Sequence, residues 1–165
     1  MESDSRPESF RLLFVCSGNT CRSPLAHAIA ERELGALGWG VEVRSAGVAA
    51  LTGTTASEGS QRAAARHGLD LTAHRSRQVD AEMVSWADLV LAMSPSHLVR
   101  LGEMGAAGKA ALLDAFARGE DGFDEEAGGV PDPFGGDDQD YEETYLTLEE
   151  LVPRALRRLE PILTP

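Results

Sequence analysis

Cys16 and Arg22 bracket the segment CSGNTCR, six positions apart, and Cys21 precedes the arginine. These types at this spacing suit one chemistry: a thiolate nucleophile at the base of an anion-binding loop, with a guanidinium closing the ring. A loop that feeds a helix N-terminus gathers backbone N–H groups and the positive end of the helix dipole into one concavity. Gly18 lets the backbone approach a ligand closely. Arg22 can grip two oxygens of a tetrahedral anion with its fork. The same positive surroundings would stabilise a thiolate on Cys16, and the thiolate is the attacking form. The plainer reading is a strand-to-helix turn with two small buried thiols. A zinc site does not fit, because no second pair of Cys or His has ligand spacing.

Cleaving a phosphoryl group also calls for a proton donor to the leaving group. Asp132 stands out in VPDPFGG, where Pro131 and Pro133 fix the local backbone. An Asp before Pro is otherwise a turn residue.

The elements around these residues alternate. Residues 10–15 (FRLLFV) read as a buried strand. Pro24 opens a helix over 24–34. A second strand follows over 41–45 and a helix over 55–67, which stops at Gly68. A short helix is expected over 81–87, a buried strand over 88–93, a helix over 95–104 and a fourth strand over 109–113. A Gly- and acid-rich loop spans 119–137. The last helix, 138–163, carries a stripe including Tyr141, Tyr145, Leu148, Val152, Leu159 and Ile162, and Pro153 inside it predicts a kink or a later start. Alternation of this kind gives βαβ units and a parallel sheet covered on both faces, an α/β fold. Ligands in such folds sit beyond the carboxyl ends of the strands, which is where CSGNTCR lies.

The run VCSGNTCRSP, residues 15–24, resembles the signature of the low-molecular-weight protein tyrosine phosphatase family. RSAG at 44–47, AHRSRQV at 73–79, ADLVLAM at 87–93 and DPFGG at 132–136 extend the likeness along nearly the whole chain. The departures are a longer N-terminus and an enlarged acidic insert before Asp132. The resemblance implies a three-layer αβα fold around a four-stranded parallel sheet. It implies Cys16 as the nucleophile, through a cysteinyl-phosphate intermediate, and Arg22 as the phosphate and transition-state ligand. Asp132 becomes first the acid and then the base that activates water. Cys16, Ser17, Gly18, Asn19, Thr20, Cys21, Arg22 and Ser23 become the phosphate-binding loop. Ser23 would help hold the thiolate, and Asn19, Ser45 and His74 a buried polar network that fixes the loop. On their own, His74 reads as an exposed loop or cap residue and Ser45 as a strand end.

Thr20 and Phe134 are the residues expected to set specificity. Tyrosine-directed members typically carry a larger aliphatic residue at the position of Thr20 and often two aromatics after the Asp-Pro, where this chain has Phe134 alone. The pattern resembles the bacterial protein arginine phosphatase branch, and a planar, polar guanidinium suits a threonine rim and a nearby carboxylate. A tyrosine phosphatase is the alternative. A thioredoxin-coupled arsenate reductase would require further cysteines. An inactive phospho-binding module would have lost Cys16, Arg22 or Asp132. Cys21 is either a packing thiol or the redox partner that traps oxidised Cys16.

Composition sets the remaining expectations. The chain has 165 residues, room for one domain, taken as 10–165 behind a flexible extension 1–9. Net charge is −12, which argues against a nucleic-acid or anionic-membrane binder. Segment 119–153 holds 13 Asp and Glu and no Lys or Arg, so it accounts for about the whole net charge. These acids read either as a selector for basic substrate surroundings or as a solubilising surface. Two cysteines fit a reducing compartment. With no signal peptide or apolar span in view, the expectation is a cytoplasmic monomer with no metal and no cofactor, whose partners are a phosphorylated protein and, in the loop, phosphate or another oxyanion.

Overall fold

The computed structural model describes residues 9–119 and 128–163. Most of the 1–9 extension, together with Asp121, Asp124, Glu125 and Glu126, lies outside the described residues.

Four strands form one parallel sheet in the order β2-β1-β3-β4: β1 (Phe10–Cys16), β2 (Val41–Gly47), β3 (Leu89–Ala92) and β4 (Ala110–Leu112). Among the described residues, α1 (Arg22–Leu37), α2 (Glu58–Arg66), α3 (Ala81–Trp86) and α4 (Pro95–Glu103) fill the connections between strands, and α5 (Leu113–Arg118), α6 (Asp138–Arg158) and α7 (Glu160–Leu163) follow β4. β1 is apolar without interruption from Leu12 to Cys16 because both its faces are covered there. Leu12, Phe14 and Cys16 point into the core shared with α1, α5 and α6; Leu13 and Val15 point into the core shared with α3 and α4. The two-residue alternation of a strand thus divides the molecule into three layers. It also sends the Cys16 side chain toward α1. No helix among the described residues is long and apolar enough to cross a membrane.

The expected helix over 55–67 starts later, at Glu58, where the Ser57 side chain accepts from the Ser60 N–H as an N-cap. α5 is absent from the sequence reading: its six residues are too few to show a period. Pro153 does not end or delay α6, which runs through it to Arg158. The break falls at Leu159 instead, two residues before Pro161, whose missing N–H cannot continue the hydrogen-bond ladder of α6. The start of α6 is firm because Asp137 and Asp140 form a reciprocal capping box.

Candidate active site

The loop between β1 and α1 is shaped from outside. Its carbonyls are taken by neighbouring elements: Val48 N–H donates to Cys16 O at 3.0 Å, Ala49 N–H to Ser17 O at 2.8 Å, Ser57 N–H to Thr20 O at 2.9 Å and Ser60 Oγ–H to Cys21 O at 3.2 Å. The His74 ring donates Nε2–H to Asn19 O at 2.7 Å, which fixes its tautomer, since a carbonyl can only accept. With the carbonyls turned outward, the N–H groups of Ser17 to Cys21 find no acceptor among the described residues. α1 has no side-chain cap and no acidic residue in its first turn, whereas α2, α3 and α6 are each capped by a side chain. The result is a set of N–H donors at a helix N-terminus, suited to an anion.

Asn19 is the one non-glycine residue with positive φ among those described, at 56°. Such a backbone costs on the order of 1–2 kcal/mol and needs over-determination. The side chain supplies it: Oδ1 accepts from Arg77 N–H at 2.9 Å, and Nδ2 donates to Ser23 Oγ at 2.7 Å and Ser45 Oγ at 3.1 Å. Asn19 already donates to Ser23 Oγ, which leaves the Ser23 hydroxyl hydrogen two partners, Cys16 Sγ at 3.0 Å and the Ala46 carbonyl at 3.5 Å. Gly47 lies directly beneath: a Cβ there would stand 2.4 Å from Ser17 O and 2.8 Å from Asn19 N. Asn19, Ser23, Ser45 and His74, which the resemblance grouped, are brought together.

Arg22 is buried. Its Nη1 donates to Ser94 Oγ at 2.8 Å and Val130 O at 2.9 Å, and Nη2 to Ser17 Oγ at 3.3 Å. Its Nε is buried with no partner, an arrangement that costs free energy unless an acceptor is bound there. One edge of the guanidinium is therefore anchored, and Nε with Nη2 remains for a bidentate grip on an oxyanion.

Asp132 is both a turn residue and a neighbour of the loop. Its Oδ1 accepts from Phe134 N–H at 3.1 Å, an Asx turn, while Oδ2 stands 3.5 Å from Arg22 Nη2. The carboxylate is 45% exposed, so it faces the mouth of the loop. Cys16, Ser17, Gly18, Thr20, Cys21, Arg22, Asp132 and Phe134 all line one cavity of about 240 Å³ together with Ala49. The Phe134 ring stands on the rim, 75% exposed. Cys16 and Cys21 are both free thiols; the Cys21 sulfur lies 3.3 Å from Ser57 Oγ and 3.7 Å from Tyr141 Oη.

A family profile described as low molecular weight phosphotyrosine protein phosphatase matches residues 11–161. The chain belongs to this family. Among relatives, it is similar to the protein-arginine-phosphatase of Geobacillus stearothermophilus, 39% identical over 153 residues, which cover 92% of this chain and 97% of that protein. It is also similar to Etp, a low molecular weight protein-tyrosine-phosphatase of Escherichia coli (strain K12), 31% identical over 150 residues, or 90% of this chain and 93% of that one. The solved YwlE arginine phosphatase from Geobacillus stearothermophilus superposes with a TM-score of 0.82 at 38% identity, covering 93% of this chain and 94% of that chain.

Within this phosphatase framework, two residues escaped the sequence reading. His97, in the first turn of α4, is buried with Nε2 2.9 Å from Ser17 Oγ. Burial first, and the Arg22 charge second, hold its pKa at about 4, with Asp132 pulling the other way. Ser94, the N-cap of α4, gives no cap hydrogen bond to its helix because its hydroxyl serves Arg22. Both follow β3, so the rule that ligands gather beyond strand ends could have found them.

Proposed function

We propose that this enzyme hydrolyses the phosphoryl group of phosphoarginine in proteins through a cysteinyl-phosphate. Cys16 thiolate attacks phosphorus in line, the bond from phosphorus to the leaving guanidine nitrogen breaks, and Asp132 passes its proton to that nitrogen. Arg22 and the loop N–H groups hold the phosphoryl oxygens as charge shifts onto them. Asp132, now a carboxylate, takes a proton from water, which attacks the intermediate and releases phosphate from Cys16. Ser23 holds the thiolate, while Asn19, Ser45 and His74 hold the loop. We also take residues 10–165 as one phosphatase domain that works as a monomer in the cytoplasm, where Cys16 stays reduced.

The observation that carries the arginine reading is the cavity wall: Thr20, Asp132 and a single aromatic, Phe134, meet over Cys16. A carboxylate and a hydroxyl suit the N–H donors of a guanidinium. The similarity to a protein-arginine-phosphatase supports the same choice. Phosphotyrosine is the second reading, favoured by the exposed Phe134 ring, which offers a phenol one stacking wall.

The two are separated by kcat/KM on matched phosphoarginine and phosphotyrosine peptides, with Thr20→Ile alongside. The expected result is a preference for phosphoarginine that Thr20→Ile shifts toward phosphotyrosine by about tenfold, the worth of one pocket contact. A wild type that prefers phosphotyrosine, with Thr20→Ile unchanged, overturns the arginine reading. No activity on any phosphoester or phosphoramidate leaves a phospho-binding module.

A further inference from the structure

We infer that Asp114, outside both the loop and the cavity, is the positioning residue for Asp132. The inference rests on Asp132 being the proton donor.

Asp114 is the second residue of α5, immediately after β4, and is buried. Its Oδ2 accepts from Gly129 N–H at 3.1 Å, with Arg118 Nη1 at 3.7 Å from the same oxygen. Its Oδ1 is buried with no hydrogen-bond partner. A half-satisfied buried carboxylate destabilises a fold, and within α5 its one ion-pair partner is Arg118, 3.7 Å away and half exposed. The bond it makes falls on the segment that leads to Asp132.

That segment is held at successive residues. Gly129 has φ of 84°, and a Cβ there would lie 2.2 Å from Met93 O, so its backbone rests flat against the chain leaving β3. Val130 N–H donates to Met93 O at 2.7 Å, and Val130 O accepts from Arg22 Nη1 at 2.9 Å. Asp132 follows two residues later. Pro131 fixes φ between Val130 and Asp132, so the short stretch from Gly129 to the carboxylate has few soft dihedrals in which to absorb a shift. The Asp114 bond is the anchor at the far end of this short lever, and it sets how Asp132 meets a leaving group. Misplacing a reacting group by about an ångström can cost roughly a hundredfold in rate.

The readout is leaving-group dependence. Phenyl phosphate needs its leaving oxygen protonated, whereas dinitrophenyl phosphate does not. The ratio of the two kcat/KM values, taken on one preparation, cancels any change in folded fraction. Asp132→Asn sets the scale: it is expected to lower kcat/KM on phenyl phosphate by about a hundredfold, within the usual range for a lost general acid, and on dinitrophenyl phosphate far less. Asp114→Ala is expected to lower the phenyl value by about tenfold and to change the dinitrophenyl value by less than about twofold. Asp114→Asn, which can still accept from Gly129 N–H, should restore most of the ratio. If Asp114→Ala does not fold, Asp114→Ser, too short to keep the bond, carries the same expectation. A steep effect of Asp132→Asn with equal losses on both substrates for Asp114→Ala or Asp114→Ser overturns the positioning role alone. A flat Asp132→Asn overturns the proton-donor reading, and the positioning role with it.

Discussion

At the scale of single residues, one hydroxyl carries much of the design. Ser23 receives the Asn19 amide and stands 3.0 Å from the Cys16 sulfur, with the Ala46 carbonyl at 3.5 Å. The Cys21 sulfur contacts Ser57 and Tyr141, and both thiols are free. We propose it as the redox partner of Cys16. Peroxide would oxidise the Cys16 thiolate to a sulfenic acid, and the Cys21 sulfur would displace water to form a disulfide that a thiol reductant reopens. The expected outcome is full recovery of peroxide-treated wild type by reductant and progressive irreversible loss in Cys21→Ser. Equal recovery of the two proteins refutes this role. Cys16 and Arg22 were legible in the sequence because their chemistry depends on residue type and short spacing, and Asp132 because prolines flank it in VPDPFGG. His97 and Asp114 were not, since each acts through a partner far along the chain: Ser17, 80 positions away, and Gly129, 15 positions away.

At the scale of elements, the site exists because the loop is clamped by its neighbours. The stretch after β2 supplies the Val48 and Ala49 donors, the segment before α3 supplies His74 and the Arg77 N–H, and Gly47 lets the loop lie directly on β2. Gly47→Ala would push a methyl into Ser17 O and Asn19 N, both backbone atoms. The expected cost is about 2 kcal/mol of stability, as for other overpacked sites. Misaligned N–H groups should also lower kcat/KM by at least about tenfold on protein that remains folded. Circular dichroism melts and phosphatase kinetics on the same sample check both, and unchanged kinetics would show that the loop does not need this floor. Strand and long-helix order was legible because hydrophobic period marks it. α5 was not, being six residues long; α6 starts at Asp138 and passes through Pro153 as the expected helix does, with packing against α1, α2 and α5 outweighing the local proline preference, but it ends at Arg158.

At the scale of the whole molecule, the acidic charge divides into parts with different work. Asp137 and Asp140 cap α6, Asp132 serves the site, and others tie α6 to its neighbours: Asp138 to Arg62 at 2.9 Å, Glu142 to Arg66 at 3.0 Å and to His67 at 2.8 Å. Exposed pairs of this kind contribute little singly, but they show that net charge is a poor guide to what each carboxylate does. Acid response comes instead from the histidines. His97 is held at about 4 against an ordinary 6.5, and burial is also the leading cause that lowers His27 and His74. In the window from 6.5 down to about 4 the unfolded chain therefore binds more protons than the folded one, so stability falls as pH falls through it. Melting temperature should drop across that window in wild type and drop less in His97→Asn; parallel curves would contradict the assignment. The central claim is covalent: phosphorus passes through the Cys16 sulfur. Mixing substrate with Asp132→Ala, quenching in acid within the first turnover and mapping the peptide by mass spectrometry tests it most directly. One phosphoryl group on Cys16, absent from Cys16→Ser, is the predicted result; turnover with no phosphoryl group on Cys16 would contradict it.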